Sequence, residues 1–289
     1  MGLFYSTPTP ARSTPEFQRP WRSEEWRRKD ELLTYVKDFN PSSEVLRILL
    51  YGPVGSGKSS FINSVQRLLL GRNVIGSLES SALTGTSFTK RLNIHKLKKG
   101  RGECYPLEIV DIMGIESSGG IKPEDIKKAF KGHILDRYTF NPVAAITNDN
   151  PKYKKEPAFS DKVHCVVCIL PADSVSRMDE DIFKKLKDVR EHANQLEIPQ
   201  VIVMTKVDKA CELVKEDLKK IYYSKKIKEK VAECSNNVGV PLNAIYPVKN
   251  YAESITQDPD TDVLILTALR DILNFANDYV EREMEKEKS

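Results

Sequence analysis

The stretch from Gly52 to Ser59, GPVGSGKS, has the residue types and spacing of a loop that binds phosphate. It matches G-x-x-x-x-G-K-S/T between an apolar stretch and a helical one, and this context separates a true loop from a chance match. Glycines allow the backbone to approach an anion closely, because a Cβ would clash or forbid the dihedral angles. The N–H groups of the loop and of the following helix then converge on the anion. The stretch therefore predicts a P-loop that binds a nucleoside triphosphate.

The chemistry of phosphate transfer gives two residues of this loop specific roles. Lys58 is expected to reach the β- and γ-phosphates and is the first candidate catalytic residue, and the Ser59 hydroxyl is expected to ligate Mg²⁺. The predicted nucleotide-binding residues of the loop are Gly52, Val54, Gly55, Ser56, Gly57, Lys58, Ser59 and Ser60.

A second motif, Asp111-Ile-Met-Gly114, follows the apolar stretch YPLEIV. It has the form D-x-x-G, in which the carboxylate holds Mg²⁺, usually through water, and the glycine amide senses the γ-phosphate. The motif is weak by itself, but here it follows a predicted strand downstream of the P-loop. We therefore predict that Asp111 binds the metal and the nucleotide and that Gly114 anchors a switch. The alternative is a turn that ends the strand.

The sequence TKVD, Thr205 to Asp208, follows the stretch QVIVM and indicates which base the bound nucleotide carries. A carboxylate at Asp208 can accept from guanine N1–H and the 2-amino group together, whereas adenine offers an acceptor at N1 and no 2-amino group. A ligand that leaves a buried polar site unpaired is disfavoured by a selectivity factor of about 10⁴–10⁵. Lys206 is expected to lay its methylene stem along the base plane. We therefore predict guanine, bound by Thr205, Lys206 and Asp208; the alternative is a surface turn.

The segment PVKNY, which follows the apolar stretch AIY, is a weaker candidate for the far side of the base. The backbone N–H groups of Val248, Lys249 and Asn250 are expected to meet guanine O6, and the Lys249 side chain is expected to flank the ring.

Two catalytic positions are less well defined by the sequence. The residue after D-x-x-G is Ile115, which cannot orient water as Gln does at this position in Ras-like GTPases. Glu116 is the next polar candidate, so we expect hydrolysis to be slow or dependent on a partner, below about 1 s⁻¹. A threonine that closes over Mg²⁺ is also expected, and the hydroxyl residues that could fill this position are Thr84, Thr86, Ser87 and Thr89. Of these, we predict that Thr86 is the metal ligand and a catalytic residue.

The elements that must position these residues alternate along the chain. Strands alternating with helices favour a mostly parallel sheet that is covered on both faces. The predicted strands are Val45–Tyr51, Arg91–Leu97, Tyr105–Val110, Val163–Leu170, Gln200–Met204 and Ala244–Val248. The predicted helices are Ser59–Leu70, Pro123–Asp136, Glu180–Leu196, Lys215–Glu233 and Val263–Lys286. The expected fold is α/β with three layers, a sheet of about six strands with one antiparallel edge strand, and helices on both faces.

The domain prediction places a single G domain over 41–289. Residues 1–22, rich in Pro, Ser, Thr and Arg, are expected to form a flexible N-terminal arm. An N-terminal helix is predicted within 23–40, over Ser23–Phe39, with Ser23 as its N-cap.

Composition disfavours membrane-spanning, secreted, collagen-like and wholly disordered proteins. The 289 residues are 40% hydrophobic and 30% charged with a net charge of +4, which does not require nucleic acid. The longest uncharged apolar run, about His164–Ala172, is far shorter than the roughly 20 residues of a transmembrane helix. Five cysteines indicate a reducing compartment, and Cys165 and Cys168 are interpreted as core residues rather than a metal or redox pair. MGLFYS fits a myristoylation pattern at Gly2, but a plain N-terminus is preferred.

The motifs GPVGSGKSS, DIMG and TKVD, in that order, resemble those of small GTPase-like P-loop domains from about Val45 to Asn250. The phrases LLYGPVGSGKSSFINSV, DIMGIE and YPVKNY are more specifically similar to the interferon-induced protein 44 and 44-like family. This resemblance implies a cytoplasmic, interferon-inducible protein with an antiviral or antiproliferative role, and GTP or GDP with Mg²⁺ as its cofactors.

Several functions remain open at this point. The first is a guanine-nucleotide switch with slow GTPase activity, in which GTP orders segments 80–90 and 111–125. The second is an interaction module that holds its nucleotide and recruits a protein partner. An ATP-using enzyme is disfavoured by Asp208, and nucleotide-dependent self-association is a further hypothesis.

Overall fold

The computed structural model of the chain describes residues 16–74, 91–117, 121–251, 254 and 256–288. In this part of the chain six strands form one sheet in the order β2-β3-β1-β4-β5-β6. All neighbouring strands are parallel except β2 and β3, which are antiparallel and place β2 at one edge. The strands are β1 Leu46–Tyr51, β2 Asn93–Gly100, β3 Glu103–Asp111, β4 Cys165–Pro171, β5 Gln200–Thr205 and β6 Ile245–Pro247.

Helices pack in two groups beside this sheet. Helices α1, α2 and α8 contact one another, and α3, α4 and α7 form a second group. The helices are α1 Lys29–Lys37, α2 Lys58–Leu70, α3 Pro123–Phe130, α4 Glu180–Gln195, α5 Val207–Ala210, α6 Glu212–Glu216, α7 Lys225–Val238 and α8 Pro259–Lys288. The predicted three-layer α/β fold with one antiparallel edge strand is therefore confirmed. No helix in the described ranges combines the length and the apolar character that a bilayer crossing needs.

The central strand β4 explains why the sequence reads as one apolar run. All seven residues of CVVCILP are buried, as expected for a parallel strand with neighbours on both sides and helices on both faces. Cys165 and Cys168 lie within it and are fully buried. Burial raises the pKa of the Cys168 thiol to about 12 and that of Cys165 further. These thiols therefore have the surroundings of core residues, as the sequence indicated.

The N-terminal helix is shorter than predicted. The expected helix over Ser23–Phe39, capped by Ser23, is α1, which begins after Arg28 and ends at Lys37. Arg28 donates its N–H to a carbonyl three residues earlier, so a turn precedes the helix. Pro41 disfavours helical dihedral angles at Asn40, so the helix cannot continue to that proline, and it ends three residues before Asn40.

Residues 16–22, predicted as the end of a mobile arm, pack against the domain instead. The Trp21 ring meets Tyr222 edge to face, with centroids 5.1 Å apart, and the backbone N–H of Trp21 donates to the Tyr222 carbonyl at 3.0 Å. The Arg22 guanidinium donates to two carbonyl oxygens at and just before β6, both at 2.6 Å. These partners are distant in sequence, so local composition could not reveal them. The rest of the predicted arm, 1–15, lies outside the described residues.

Two other predicted helices are interrupted. The helix expected over Lys215–Glu233 is divided into α6, a short 3-10 turn and α7, because Ser224 caps α7 and accepts a backbone N–H at 3.2 Å. The helix expected over Pro123–Asp136 ends six residues earlier, and Gly132 just beyond it has a φ of +80°, which no right-handed helix allows. Capping and glycine conformation therefore override the apolar periodicity at both places.

Candidate nucleotide-binding site

The P-loop leaves β1 at Gly52 and enters α2 at Lys58. Gly52 has a φ of +146°, and a Cβ there would lie 2.2 Å from the Ile169 carbonyl oxygen on β4. Gly57 is the N-cap of α2 with a φ of +96°. Because the first N–H groups of α2 have no carbonyl oxygen within the helix, they are donors for an anion held by the loop.

Lys58 is folded back across this loop. Its side chain is buried, and its Nζ donates to the carbonyl oxygens of Gly52 at 3.0 Å and Pro53 at 3.1 Å. Burial lowers the pKa of Lys58, and the nearby Asp111 carboxylate opposes that shift. The ammonium group is therefore placed inside the curve of the loop, where phosphate oxygens are expected.

Asp111 lies at the end of β3, and only one of its two carboxylate oxygens is hydrogen-bonded to a described residue. Its Oδ2 accepts from Ser59 Oγ at 3.4 Å, whereas its buried Oδ1 accepts no hydrogen bond from any described residue. Burial raises the pKa of Asp111, and the Lys58 ammonium opposes that shift. A bare carboxylate oxygen beside a serine hydroxyl suits a hard divalent cation that prefers oxygen ligands. The two residues therefore fit Mg²⁺, either directly or through its water.

The D-x-x-G segment lies directly on the P-loop. Ile115 donates its N–H to the Gly52 carbonyl at 3.0 Å, and the Val54 N–H donates to the Ile115 carbonyl at 3.3 Å. A Cβ on Gly114 would lie 2.6 Å from Val54 Cγ2 and 2.9 Å from Val54 Cα. A glycine is therefore required here by close approach, and a movement of either segment reaches the other. The two hydrogen bonds at Ile115 and the contact between Gly114 and Val54 are together called the clamp.

The TKVD segment contacts the P-loop through its first residue. Thr205 is fully buried, and its Oγ1 donates to the Ser56 carbonyl at 2.5 Å. Lys206 has a φ of +57°, and its Nζ lies 4.0 Å from Asp173 Oδ2. Asp208 is half-buried in the short helix α5. Thr205 therefore holds the P-loop from β5, and recognition of the base by Lys206 and Asp208 remains a prediction.

The segment after β6 also reaches the P-loop, in a way that the sequence did not predict. The Val248 N–H donates to the Met204 carbonyl at 2.7 Å, so this donor, expected at guanine O6, is committed to the sheet. Lys249 is half-buried beside it. Asn250 donates from Nδ2 to the Gly57 carbonyl at 3.2 Å, while its buried Oδ1 accepts from no described residue. The side chain of Asn250, rather than its N–H, makes the contact.

The remaining predicted loop residues follow the curve of the P-loop. The Val54 side chain is exposed, and Gly55 has a φ of +72° with open space around it. Ser56 is fully buried, and its Oγ has no partner among the described residues. Ser60 lies in the first turn of α2, where its carbonyl accepts from Ser64 Oγ at 2.7 Å.

The structure describes one of the two weaker catalytic candidates. Thr86 and the alternatives to it lie outside the described residues. Glu116 lies just beyond the clamp, where its backbone carbonyl accepts from Lys185 Nζ at 2.6 Å. It lines a cavity of about 350 Å³ with residues of α3 and α4, among them Ile126 and His192. A role of Glu116 in orienting water remains a prediction.

Comparison with curated proteins finds relatives over most of the chain. Interferon-induced protein 44-like of Homo sapiens is 33% identical over 259 residues, covering 88% of this chain and 57% of that protein. Interferon-induced protein 44 of Homo sapiens is 32% identical, covering 88% of this chain and 58% of that protein. The Mus musculus protein of the same name is 31% identical, covering 86% and 60%. The chain is a homologue of interferon-induced protein 44. The predicted resemblance to interferon-induced protein 44 and 44-like is thereby confirmed, and the chain spans less than two thirds of these relatives.

Solved structures give more distant similarities. Toc33 from Arabidopsis thaliana in complex with GDP and Mg²⁺ is 15% identical with a TM-score of 0.47, covering 87% of this chain and 96% of that one. A SAR1-type GTP-binding protein from Encephalitozoon cuniculi in complex with GDP is 15% identical with a TM-score of 0.41, covering 90% of each chain. No family model matches the chain. Similarity at this level adds nothing to the fold that the sheet order already defines.

Proposed function

We propose that this homologue of interferon-induced protein 44 binds GTP and GDP with Mg²⁺. The observation that carries the proposal is that the two segments predicted to contact the base, TKVD and PVKNY, both hydrogen-bond to the P-loop. Thr205 of the TKVD segment donates to the Ser56 carbonyl, and Asn250 donates to the Gly57 carbonyl. A base held by Asp208 therefore shares one rigid frame with phosphates held by Lys58.

The roles of the residues follow from this frame. Lys58 and the N–H groups at the start of α2 bind the phosphates, and Ser59 with Asp111 holds Mg²⁺, which would neutralise phosphate charge. Asp208 accepts from guanine N1–H and the 2-amino group, and Lys206 lies along the base. Thr86 is retained as the threonine that closes over the metal.

We further propose that hydrolysis is slow or depends on a protein partner, and that the chain acts as a switch. Ile115 occupies the position of the water-orienting Gln of Ras-like proteins and is almost fully buried. Its two backbone hydrogen bonds to the P-loop make the D-x-x-G segment sensitive to what the loop binds. The names of the relatives support a role in an interferon-induced response, which we propose to be antiviral. We propose a cytoplasmic location for the protein.

The second candidate is an interaction module that holds GDP or GTP without hydrolysing it and recruits a partner. The same clamp favours it, because a D-x-x-G segment bound tightly to the P-loop resists rearrangement. Measured rates of exchange and hydrolysis separate the two candidates. Turnover of GTP by the purified chain alone at about 1 s⁻¹ or faster would contradict both, since intrinsic Ras-like rates are about 10⁻⁴ s⁻¹.

Calorimetric titration of nucleotide-stripped protein with GDP, GTP and ADP in Mg²⁺ tests the main proposal. We expect tight binding of GDP and GTP, weak binding of ADP, and loss of guanine preference in Asp208→Ala. Glu229→Ala, which removes an exposed carboxylate from α7, is the matched control and should bind like the unmodified chain. Equal binding of ADP and GDP, or unchanged binding by Asp208→Ala, would refute guanine recognition.

A further inference from the structure

An ion pair between a half-buried lysine and a fully buried aspartate lies at the start of α8, away from the residues assigned so far. Asp262 is fully buried, and its Oδ2 lies 2.7 Å from Nζ of Lys29, the first residue of α1. Removing one partner of such a pair leaves an uncompensated buried charge, which is strongly destabilising for the local structure. The position of α1 and the conformation around Asp262 therefore depend on each other.

Tyr251 connects this ion pair to the segment after β6. Its hydroxyl donates to Asp262 Oδ1 at 2.6 Å and accepts the Asp258 N–H at 2.7 Å. The hydrogen bond from the hydroxyl gives the ring a fixed position, and the Arg67 guanidinium of α2 lies 4.1 Å from the ring centroid. The Tyr251 N–H donates to Ser64 Oγ of α2 at 2.9 Å. Both the backbone and the ring of Tyr251 are thus held in place.

Asn250, the residue before Tyr251, contacts the P-loop. Asn250 is bonded covalently to Tyr251, so its reach to the Gly57 carbonyl depends on where Tyr251 is anchored. The buried Asn250 Oδ1 accepts from no described residue, so its acceptor capacity is not used by the part of the chain that the structure describes. An unbroken series of contacts therefore runs from α1 to the P-loop through Asp262 and Tyr251.

We propose that Lys29, Asp262 and Tyr251 are positioning residues that set how long the bound nucleotide stays on the protein. With Lys29 on Asp262, Tyr251 holds Asn250 against the loop and release of the nucleotide is slow. When α1 moves and Lys29 leaves, Asp262 loses its counter-charge, the anchor of Tyr251 loosens and release becomes faster. The inference rests on the proposed function, because it concerns the guanine nucleotide of that site.

The coupling works in both directions, as linkage between two sites requires. A protein that pulls α1 from α8 would accelerate exchange, and a bound nucleotide would tighten α1. Other contacts keep α1 in place when Lys29 alone is changed, among them Tyr35 Oη donating to Asn274 Oδ1 at 2.6 Å. A substitution of Lys29 therefore tests the coupling without removing the helix.

The test measures dissociation of fluorescent mant-GDP from the full chain in Mg²⁺, after addition of excess unlabelled GDP. Lys29→Met and Tyr251→Phe are expected to release it about 2- to 30-fold faster than the unmodified chain, the range for substitutions along a coupled network. Lys29→Arg keeps the charge and should release it at the original rate. Lys37→Met, which removes a lysine from the last turn of the same helix, is the matched control.

A double variant separates positioning from a general loss of stability. In Lys29→Met/Asp262→Asn no buried charge is left unpaired, and the Asn side chain can still accept from Tyr251, so the slow rate should return. Equal rates in Lys29→Met, Lys37→Met and the unmodified chain would overturn the proposal, as would a double variant as fast as Lys29→Met. Tyr251→Phe decides the matter if Lys29→Met does not fold. Failure of the unmodified chain to bind mant-GDP would refute the proposed function instead.

Discussion

The contact between Gly114 and Val54 gives a direct test of the clamp between the D-x-x-G segment and the P-loop. Gly114 is not among the glycines with positive φ, so alanine meets no backbone strain there and acts through its Cβ alone. That Cβ would lie 2.9 Å from Val54 Cα and 3.0 Å from Val54 N, whereas carbon atoms prefer about 3.5–4.0 Å. Rotation of the Val54 side chain cannot relieve a backbone contact, so the two segments must separate.

The expected cost of Gly114→Ala follows from the hydrogen bonds that such a separation breaks. Two backbone hydrogen bonds join the segments at Ile115, and each contributes about 0.5–1.5 kcal/mol net, so we expect a loss of about 1–3 kcal/mol. Denaturant unfolding of the nucleotide-free protein measures this loss, and calorimetry should show weaker binding of GTP.

Val54→Gly in the Gly114→Ala background distinguishes the two contacts that the Cβ makes. It removes the 2.6 Å contact with Cγ2 but leaves the backbone contacts, so recovery should be partial. If Gly114→Ala unfolds within about 0.5 kcal/mol of the unmodified chain, as a surface substitution would, and binds GTP equally well, the clamp does not exist as described.

Two further predictions concern His164 and Thr205. Burial lowers the pKa of His164 from 6.5 to about 4, so its stabilising effect is complete above pH 6.5 and is lost as pH falls toward 4. Between about pH 7.5 and about pH 5 this one group should account for about 2 kcal/mol of lost unfolding free energy, so His164→Asn, which can still accept the backbone N–H of Arg47, should lose about that much less than the unmodified chain in denaturant titrations; equal losses would contradict this. Thr205→Val removes the donor to the Ser56 carbonyl and should accelerate mant-GDP dissociation about tenfold, the equivalent of about 1.4 kcal/mol; an unchanged rate would show that the Thr205 bond does not hold the loop.

The parts of the fold that depend on local signals could be predicted from the sequence. The P-loop, the D-x-x-G segment and the TKVD segment each follow a strand, and the carboxyl ends of parallel strands share one edge of the sheet. The apolar stretches therefore indicated both the strands and the edge at which the motifs meet. The antiparallel hairpin could be predicted as well, because KKGRG between two strand-like stretches is a typical turn.

The parts that depend on contacts distant in sequence could not be predicted. Trp21 packs on Tyr222 and Arg22 donates to carbonyl oxygens near β6, but nothing in the Pro- and Ser-rich sequence around them reports these partners. The same is true of Asn250, whose position after β6 suggested a backbone donor to the base. Its side-chain bond to Gly57 depends on how far the P-loop turns, which no spacing encodes.

The contacts around the P-loop suggest how the site distinguishes its ligands. The Gly52 carbonyl accepts from both Lys58 and Ile115. The Ser56 carbonyl accepts from Thr205, and the Gly57 carbonyl accepts from Asn250. Because these carbonyl groups are satisfied by protein donors, the N–H groups at the start of α2 remain available to the phosphates of the proposed nucleotide. A change in the phosphates that moves the loop must therefore displace Ile115, Thr205 or Asn250. The first belongs to the D-x-x-G segment and the last is linked to Tyr251 and α1, so the proposed function gives the nucleotide state two physical routes to the surface of the protein.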